Sequence, residues 1–138
     1  SQSVRDAIEL LQAERIGHGT AALEDPRTVE LLAARGIPLE VCPTSNRLTG
    51  AARPEHPHPY LDFDRRNCVV TIDADDPAIF RTSIQEEYEL VERTAGPAAL
   101  ERYVRNAIDA SFAPPSEKQS LLACLERALA ELQAQSRS

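Results

Sequence analysis

The chain has 138 residues, of which 42% are hydrophobic and 27% are charged, and its formal net charge is −7. This length is typical of about one domain, and the composition is that of an ordinary globular protein. The acidic balance and the dispersed Arg and Lys argue against a nucleic-acid partner, because a phosphate backbone requires a basic patch. No apolar stretch approaches the length of a membrane span, and no signal-peptide core opens the sequence.

The three cysteines, Cys42, Cys68 and Cys124, are far apart and form no Cys-x-x-Cys pair. This pattern predicts reduced, buried thiols and a cytoplasmic protein. The sequence contains no Met, and Ser1 directly precedes a helical pattern. We therefore expect the sequence to begin partway through a larger protein.

Helices and strands are predicted to alternate along the first half of the chain. Hydrophobic spacing and turn residues predict a helix over about 3–13, a strand over 14–19, a helix over 26–35, a strand over 37–42, a turn over 43–46 and a proline-rich loop over 47–59. Asp25 is the expected N-cap of the second helix, and Gly36 follows its end.

The second half begins with a short predicted helix over 60–66 and a third strand that starts at Val69. Three helices follow, over about 83–94, 98–112 and from 116 onward, the first opened by a capping box of Ser83 and Glu86. The last helix is leucine-rich, so we expect it to pack in the core, with a dimer contact as the lesser alternative. Its polar end, over 133–138, is expected to fray.

Alternation of this kind predicts an α/β fold with a parallel sheet. Three strands alone leave two exposed edges and cannot close a barrel. We therefore expect part of the fold to lie outside this sequence or in another chain.

The third strand runs directly into two adjacent carboxylates, Asp75 and Asp76, followed by Pro77. Parallel α/β folds carry their chemistry at the carboxyl ends of the strands. If strand geometry persists, the two carboxylates point to opposite sides and can serve different purposes. A carboxylate on a rigid strand end is a candidate metal ligand. Asp-Asp-Pro is also ordinary at a turn or at the start of a helix.

A family resemblance rests on three motifs that occur in this order along the chain. They are Arg-Ile-Gly-His-Gly at 15–19, Glu-Val-Cys-Pro-Thr-Ser-Asn at 40–46 and Asp-Asp-Pro at 75–77. Together they resemble the C-terminal part of the adenosine deaminase family, within the metal-dependent amidohydrolase superfamily. Shorter matches at 49–50, 87–88, 106–107 and 111–112 also fit. The resemblance covers nearly the whole chain, and it is the combination that is specific.

The resemblance implies that residues 1–138 form the C-terminal part of a single (β/α)8 TIM-barrel domain with one zinc ion at its mouth. The chain would supply strands six to eight with their helices, plus C-terminal helices. The family's His-x-His and His-Ala-Gly-Glu motifs do not occur here, so three histidine ligands and the glutamate acid/base are missing from this sequence. His56 and His58 lie in the proline-rich loop and do not replace them.

The resemblance also implies residue roles. His18 matches the catalytic histidine that contacts and helps to activate the zinc-bound water, and Asp75 matches the zinc ligand. Asp76 matches the substrate-binding carboxyl group that recognises a purine ring nitrogen on the five-membered side. By strand alternation we expect His18 to share a face with Ile16, and Asp75 to share one with Asp73. The family often has Asn at the position of Asp73.

The segment between the second strand and the loop leaves alternatives open. Thr44, Ser45 and Asn46 fit either substrate binding or a turn held by local side-chain hydrogen bonds, which we favour. Cys42 is expected to be a buried small residue. Arg47 and the 53–59 loop are candidates for the rim of the site.

The implied reaction is hydrolytic deamination of a 6-aminopurine nucleoside, adenosine to inosine and ammonia. The implied partner is a small purine nucleoside or base, with no nucleic acid and no membrane. Adenine and aminodeoxyfutalosine are the alternative substrates. A cytidine-deaminase type of zinc site is disfavoured, because Cys42-Pro43 reverses the expected order and no second Cys follows at the Cys-x-x-Cys spacing. The hypothesis of another class is a catalytically inert fragment or a non-enzymatic α/β module. The sequence does not indicate an oligomeric state.

Overall fold

The computed structural model describes residues 1–135, which form eight α-helices, one 3-10 helix and three short strands. In chain order these are α1 (Gln2–Glu9), β1 (Ile16–Gly17), the 3-10 helix (Thr20–Glu24), α2 (Pro26–Arg35), β2 (Leu39–Val41), α3 (Pro43–Leu48), α4 (Pro59–Arg65), β3 (Val70–Ile72), α5 (Pro77–Phe80), α6 (Ile84–Ala95), α7 (Pro97–Ala110) and α8 (Pro115–Gln135).

The three strands form one parallel sheet in the order β1-β2-β3. Leu39 in the middle strand pairs with Ile16 on one side and with Val70 on the other. Helical segments connect each strand to the next, as parallel neighbours require. The predicted α/β fold with a parallel sheet is therefore confirmed, whereas its place in a TIM barrel stays a prediction.

The core lies between one face of the sheet and the helices. That face consists of Ile16, Leu39, Val41, Val70 and Ile72, none of which is more than 8% exposed. The helices add apolar residues to the same cluster, among them Val4, Ile8, Val29, Leu32, Tyr60, Phe63, Val91 and Tyr103. Because side chains alternate along a strand, the opposite face carries Gly17, Glu40 and Thr71. This second face leads to the candidate site.

The predicted helix boundaries are confirmed where local signals set them. The Asp25 side chain accepts a hydrogen bond from the Arg27 amide, and Gly36 ends α2 with a φ of 61°. The Ser83 hydroxyl likewise accepts from the Glu86 amide at 3.2 Å at the start of α6. Each of these contacts spans only two or three residues, so the sequence alone can reveal it.

Two predictions about the helices were wrong. Residues 43–46 are not a simple turn but the first part of α3, which begins with Pro43, a residue well suited to a first helical turn. The last helix is not core, since α8 has no buried residue and Leu132 is 61% exposed. A leucine stripe predicts an apolar face but does not determine what covers it.

The last helix continues regularly to Gln135, so residues 133–135 remain helical. The rest of the segment expected to fray, residues 136–138, lies outside the described residues. None of the helices in the described part of the chain is long and apolar enough to cross a membrane.

Candidate active site

The carboxyl ends of the three strands meet at one cavity of about 330 Å³. Its lining consists of Gly17 and His18 after β1, Glu40 and Cys42 on and after β2, and Asp73, Ala74 and Asp75 after β3. Parallel strands present their carboxyl ends at the same edge of a sheet, which is why three distant segments converge here. His18 and Asp75 therefore share one pocket.

His18 and Asp75 face each other across this cavity. The imidazole Nε2 lies 3.7 Å from Asp75 Oδ2, and both side chains are partly exposed. Both residues have left-handed backbone, with φ of 55° and 58°. This conformation breaks strand alternation, so the expected shared face of Ile16 and His18 is wrong: Ile16 packs in the core, whereas His18 lines the cavity.

The turn after His18 depends on Gly19. Its φ is +64°, and a Cβ built there would lie 2.4 Å from Leu39 Cδ2. Any larger residue would meet both a backbone penalty and a clash with the core. Gly19 therefore lets the chain leave β1 sharply and hold His18 over the end of the sheet.

Helix α3 holds both site residues through side-chain contacts. The Ser45 hydroxyl donates to Asp75 Oδ2 at 2.6 Å, and Asn46 Nδ2 lies 3.0 Å from His18 Nδ1. Ser45 and Asn46 are only 2% and 1% exposed. Neither prediction for this segment named these contacts. The local-turn interpretation is wrong, because the two side chains hold His18 and Asp75 from a helix. Substrate binding by this segment stays a prediction.

A buried carboxylate fixes the start of α3. Glu87 of α6 is 1% exposed. Its Oε2 accepts from the Thr44 amide at 3.1 Å, and its Oε1 accepts from the Thr82 hydroxyl at 2.7 Å. A negative charge at a helix N-terminus is favourable, because the first amides of a helix have no partner within it. The sequence singled out Glu87 only as a family match, since nothing local reveals a contact over this distance.

Asp76 caps the short helix that follows the site. Its Oδ1 accepts from the amides of Ala78 and Ile79, both at 3.0 Å, so the helix-start interpretation of Asp-Asp-Pro is confirmed for this residue. Neither bond uses Oδ2, and the residue is exposed. Its predicted role toward a purine stays a prediction.

The lining of the cavity is acidic, with Glu40, Asp73 and Asp75 among its residues. Asp73 accepts a hydrogen bond from the Thr71 hydroxyl at 2.9 Å. Burial, followed by the nearby charges of Asp73 and Asp75, raises the pKa of the Cys42 thiol to about 12. Cys42 is thus a buried neutral thiol, as expected.

The prediction of buried cysteines holds for Cys42 and Cys68 but is wrong for Cys124, which is exposed on α8. All three thiols are free. The predicted cytoplasmic location is not tested by this finding.

The other two histidines lie outside this cavity. His58 is 6% exposed, and its Nδ1 accepts from the Tyr60 amide at 3.3 Å as the N-cap of α4. The Arg47 guanidinium donates to the carbonyls of Arg53 and His56, so it fastens the proline-rich loop to α3. A contribution of this loop to the rim stays a prediction.

The donor atoms present fit a zinc ion. A ligand atom from each of His18, Cys42 and Asp75 lies within 4.8 Å of the other two. Zinc accepts imidazole nitrogen, thiolate sulfur and carboxylate oxygen, so the neutral thiol of Cys42 would have to lose its proton to bind. The Asp75 carboxylate lines the cavity and is already oriented by Ser45, so of the three residues it is the best placed to bind zinc.

Comparison with known proteins identifies the family of the chain. The sequence profile described as adenosine deaminase matches residues 1–128, so the chain belongs to the adenosine deaminase family. It is 42% identical over 124 residues to an aminodeoxyfutalosine deaminase of Streptomyces avermitilis, covering 88% of this chain and 35% of that protein. It is 38% identical over 122 residues to an adenosine deaminase of Danio rerio, covering 86% and 34%.

The fold is similar to that of a solved adenine deaminase from Arthrobacter aurescens, with a TM-score of 0.87 and 28% identity over 94% of this chain and 40% of that one. The chain spans about a third of the length of the curated relatives it matches.

Proposed function

We propose that this chain forms part of a zinc-dependent hydrolase that removes the 6-amino group of a purine nucleoside, with adenosine converted to inosine and ammonia. The observation that carries the proposal is the approach of His18 Nε2 to within 3.7 Å of Asp75 Oδ2 at the carboxyl ends of parallel strands. An imidazole and a carboxylate are the two groups that a hydrolytic site of this family needs from this part of the chain.

Asp75 would hold the zinc ion, with its carboxylate oriented by the Ser45 hydroxyl. When bound, zinc supplies the Lewis acidity that allows water to attack near neutral pH. His18 lies beside Asp75 and would orient the attacking water. The remaining ligands and the acid/base glutamate are expected from strands one and five of a TIM barrel, in which the present sheet would be strands six to eight.

Asp76 would bind the purine through Oδ2, the oxygen that its helix cap leaves free. Its neighbour Asp75 turns into the cavity, whereas Asp76 lies at the start of α5. The two adjacent carboxylates therefore have separate tasks, one toward the metal and one toward the substrate.

Aminodeoxyfutalosine is the second candidate substrate. The specific observation that favours it is the higher identity to the Streptomyces avermitilis aminodeoxyfutalosine deaminase, 42% against 38% for the Danio rerio adenosine deaminase. Adenine is the third, because a solved adenine deaminase shares the fold at 28% identity.

The experiment is a turnover assay on the full-length protein after zinc analysis. We expect about one zinc per chain, and ammonia released in equal amount to the deaminated purine from adenosine or aminodeoxyfutalosine. The ratio of kcat/KM values for the three compounds decides the substrate. A zinc-loaded, folded protein that releases no ammonia from any of them would overturn the proposal and favour the non-enzymatic alternative.

A further inference from the structure

We propose that Asn46 is a positioning residue that fixes His18 in the neutral tautomer whose proton lies on Nε2. A neutral imidazole has one donor and one acceptor nitrogen, and the hydrogen bond made by one nitrogen determines the state of the other. The tautomer decides whether His18 can donate to a molecule in the cavity or accept from it.

The contact that sets the tautomer is buried on the side of Asn46. Asn46 Nδ2 lies 3.0 Å from His18 Nδ1, and Asn46 is 1% exposed, so its amide is held away from bulk water although the His18 side chain is 44% exposed. If the amide donates to Nδ1, that nitrogen is the acceptor and the proton must be on Nε2. The backbone of Asn46 is held on both sides, since its amide donates to Cys42 and its carbonyl accepts from Ala52, each at 2.8 Å.

The opposite orientation of the amide is disfavoured for two reasons. It would move the proton to Nδ1 and turn the lone pair of Nε2 toward Asp75 Oδ2, so that two acceptors would face each other at 3.7 Å. It would also bury the two N–H donors of Asn46 without partners. In the observed orientation one of these N–H groups bonds to His18, and Oδ1 is the buried Asn46 atom that lacks any partner, which a carbonyl tolerates better than an N–H group does.

Asp75 does not fix the tautomer by itself. Its distance of 3.7 Å from Nε2 exceeds that of a hydrogen bond, so it biases the ring electrostatically without holding the proton. Asn46 makes the only hydrogen bond to the His18 ring among the described residues. The position of the proton therefore depends on a residue that lines no part of the cavity.

The consequence for chemistry rests on the proposed function. A His18 that carries its proton on Nε2 presents a donor to the cavity, beside Asp75. It would orient the attacking water by donating to the water oxygen, and it would not remove the water's proton. Asn46 would thus assign His18 a donor role through a contact on the far side of the ring.

The test is ¹⁵N NMR of histidine-labelled protein at pH 8.5, which distinguishes a protonated from an unprotonated ring nitrogen. The His18 signals are assigned by their loss in His18→Gln. His58 is an internal reference, because its Nδ1 accepts from the Tyr60 amide, and exposed His56 reports an unrestrained ring. We expect His18 to show a protonated Nε2 and an unprotonated Nδ1, as His58 does.

Three variants complete the test. Asn46→Ala should move the ¹⁵N chemical shifts of both His18 ring nitrogens toward those of His56, which are averaged over the two tautomers. Asn46→Asp should place the proton on Nδ1, because a carboxylate can only accept a hydrogen bond. Ser45→Ala, which alters the neighbouring contact to Asp75, should leave both signals in place. A wild-type His18 with its proton on Nδ1, or no change in Asn46→Ala, would overturn the proposal. The NMR measurement does not depend on turnover. An inactive protein would therefore contradict the proposed function but would not contradict the proposed role of Asn46.

Discussion

His18 and Asp75 both adopt left-handed backbone where they face each other across the cavity, with φ of 55° and 58°. They are two of the five non-glycine residues with positive φ in the described part of the chain. Such a conformation costs on the order of 1 kcal/mol or more and persists only where neighbouring contacts enforce it. Here those contacts come from α3, through Asn46 to His18 and through Ser45 to Asp75. Strain of this kind is typical of functional sites.

The first prediction concerns Asp75→Asn. Asparagine tolerates left-handed backbone, so the fold should be retained, but it loses the charge that a metal ligand needs. We expect zinc content and kcat to fall at least about 100-fold, more than the loss typical of an outer-sphere partner. Elemental analysis and ammonia release measure both.

Asp73→Asn is the matched control for that variant. It makes the same chemical change on the same segment, and an Asn oxygen can still accept from the Thr71 hydroxyl. Zinc should stay bound. An Asp75→Asn protein that keeps its zinc, or an Asp73→Asn protein that loses it, would contradict the assignment of Asp75 as the ligand.

The second prediction separates the two tasks of Asp76. Asparagine is as good an N-cap as aspartate, whereas alanine lacks the acceptor and costs about 1 kcal/mol. Asp76→Asn should therefore have the same midpoint of urea unfolding as the wild type, and Asp76→Ala should unfold at a lower urea concentration. Both should lose kcat/KM to a similar extent, because both lack the carboxyl group toward the purine. Full activity in Asp76→Asn would show that the residue serves only as a cap.

The third prediction concerns the anchor of α3. Glu87→Leu leaves the Thr44 amide and the Thr82 hydroxyl without their partner at a part-buried site, so we expect a loss of about 3 kcal/mol in the free energy of unfolding. Glu87→Gln can still accept from Thr44 and donate to the Thr82 oxygen, and should cost about 1 kcal/mol or less. Urea unfolding compares the two.

The same pair of variants tests whether the anchor positions the site. Because α3 carries Ser45 and Asn46, kcat should fall in Glu87→Leu even where the protein is fully folded, and should stay near wild type in Glu87→Gln. Thr82→Val, which removes only the contact outside α3, should affect stability alone. Equal kcat in all three variants would mean that Glu87 has no influence on the site.

These contacts also show why the sequence predicts some features and not others. The caps at Asp25 and Ser83 use donors two or three residues away, so residue type and spacing are sufficient. Helix α3 has no side-chain cap of its own, since Cys42 precedes it, and its first amides rely on Glu87 from a distant helix. No local pattern encodes that partner, which is why the segment was predicted to be a turn.

The site was predictable as a set of residues but not as a geometry. Parallel strand ends converge by necessity, so His18 and Asp75 could be placed at one edge of the sheet. The left-handed backbone of His18 breaks the alternation on which its predicted face depended, whereas Asp73 and Asp75 line the same cavity as expected. The contacts of Ser45 and Asn46 follow from that break and from the position of α3, and both are properties of the folded chain.

The last prediction concerns the dependence of stability on pH. Burial, with a smaller contribution from the Arg47 charge, lowers the pKa of His58 to about 4 from the model-peptide value of 6.5, and the Pro43 carbonyl partly opposes this. Between these two values the unfolded chain binds a proton that the folded chain does not, so stability falls as the pH falls through this window. The contribution of His58 amounts to roughly 3 kcal/mol between pH 7 and pH 4.

His58→Asn isolates this contribution, because asparagine can still cap α4 by accepting from the Tyr60 amide but does not titrate. Urea unfolding at pH 7.5 and pH 4.5 gives the loss of unfolding free energy on acidification for each protein. The carboxylates are the same in both proteins, so their contribution cancels in the difference. We expect the variant to lose less stability than the wild type on acidification. His56→Asn, at an exposed position, should behave as the wild type. Parallel pH profiles for wild type and His58→Asn would show that the buried imidazole is not what limits stability in mild acid.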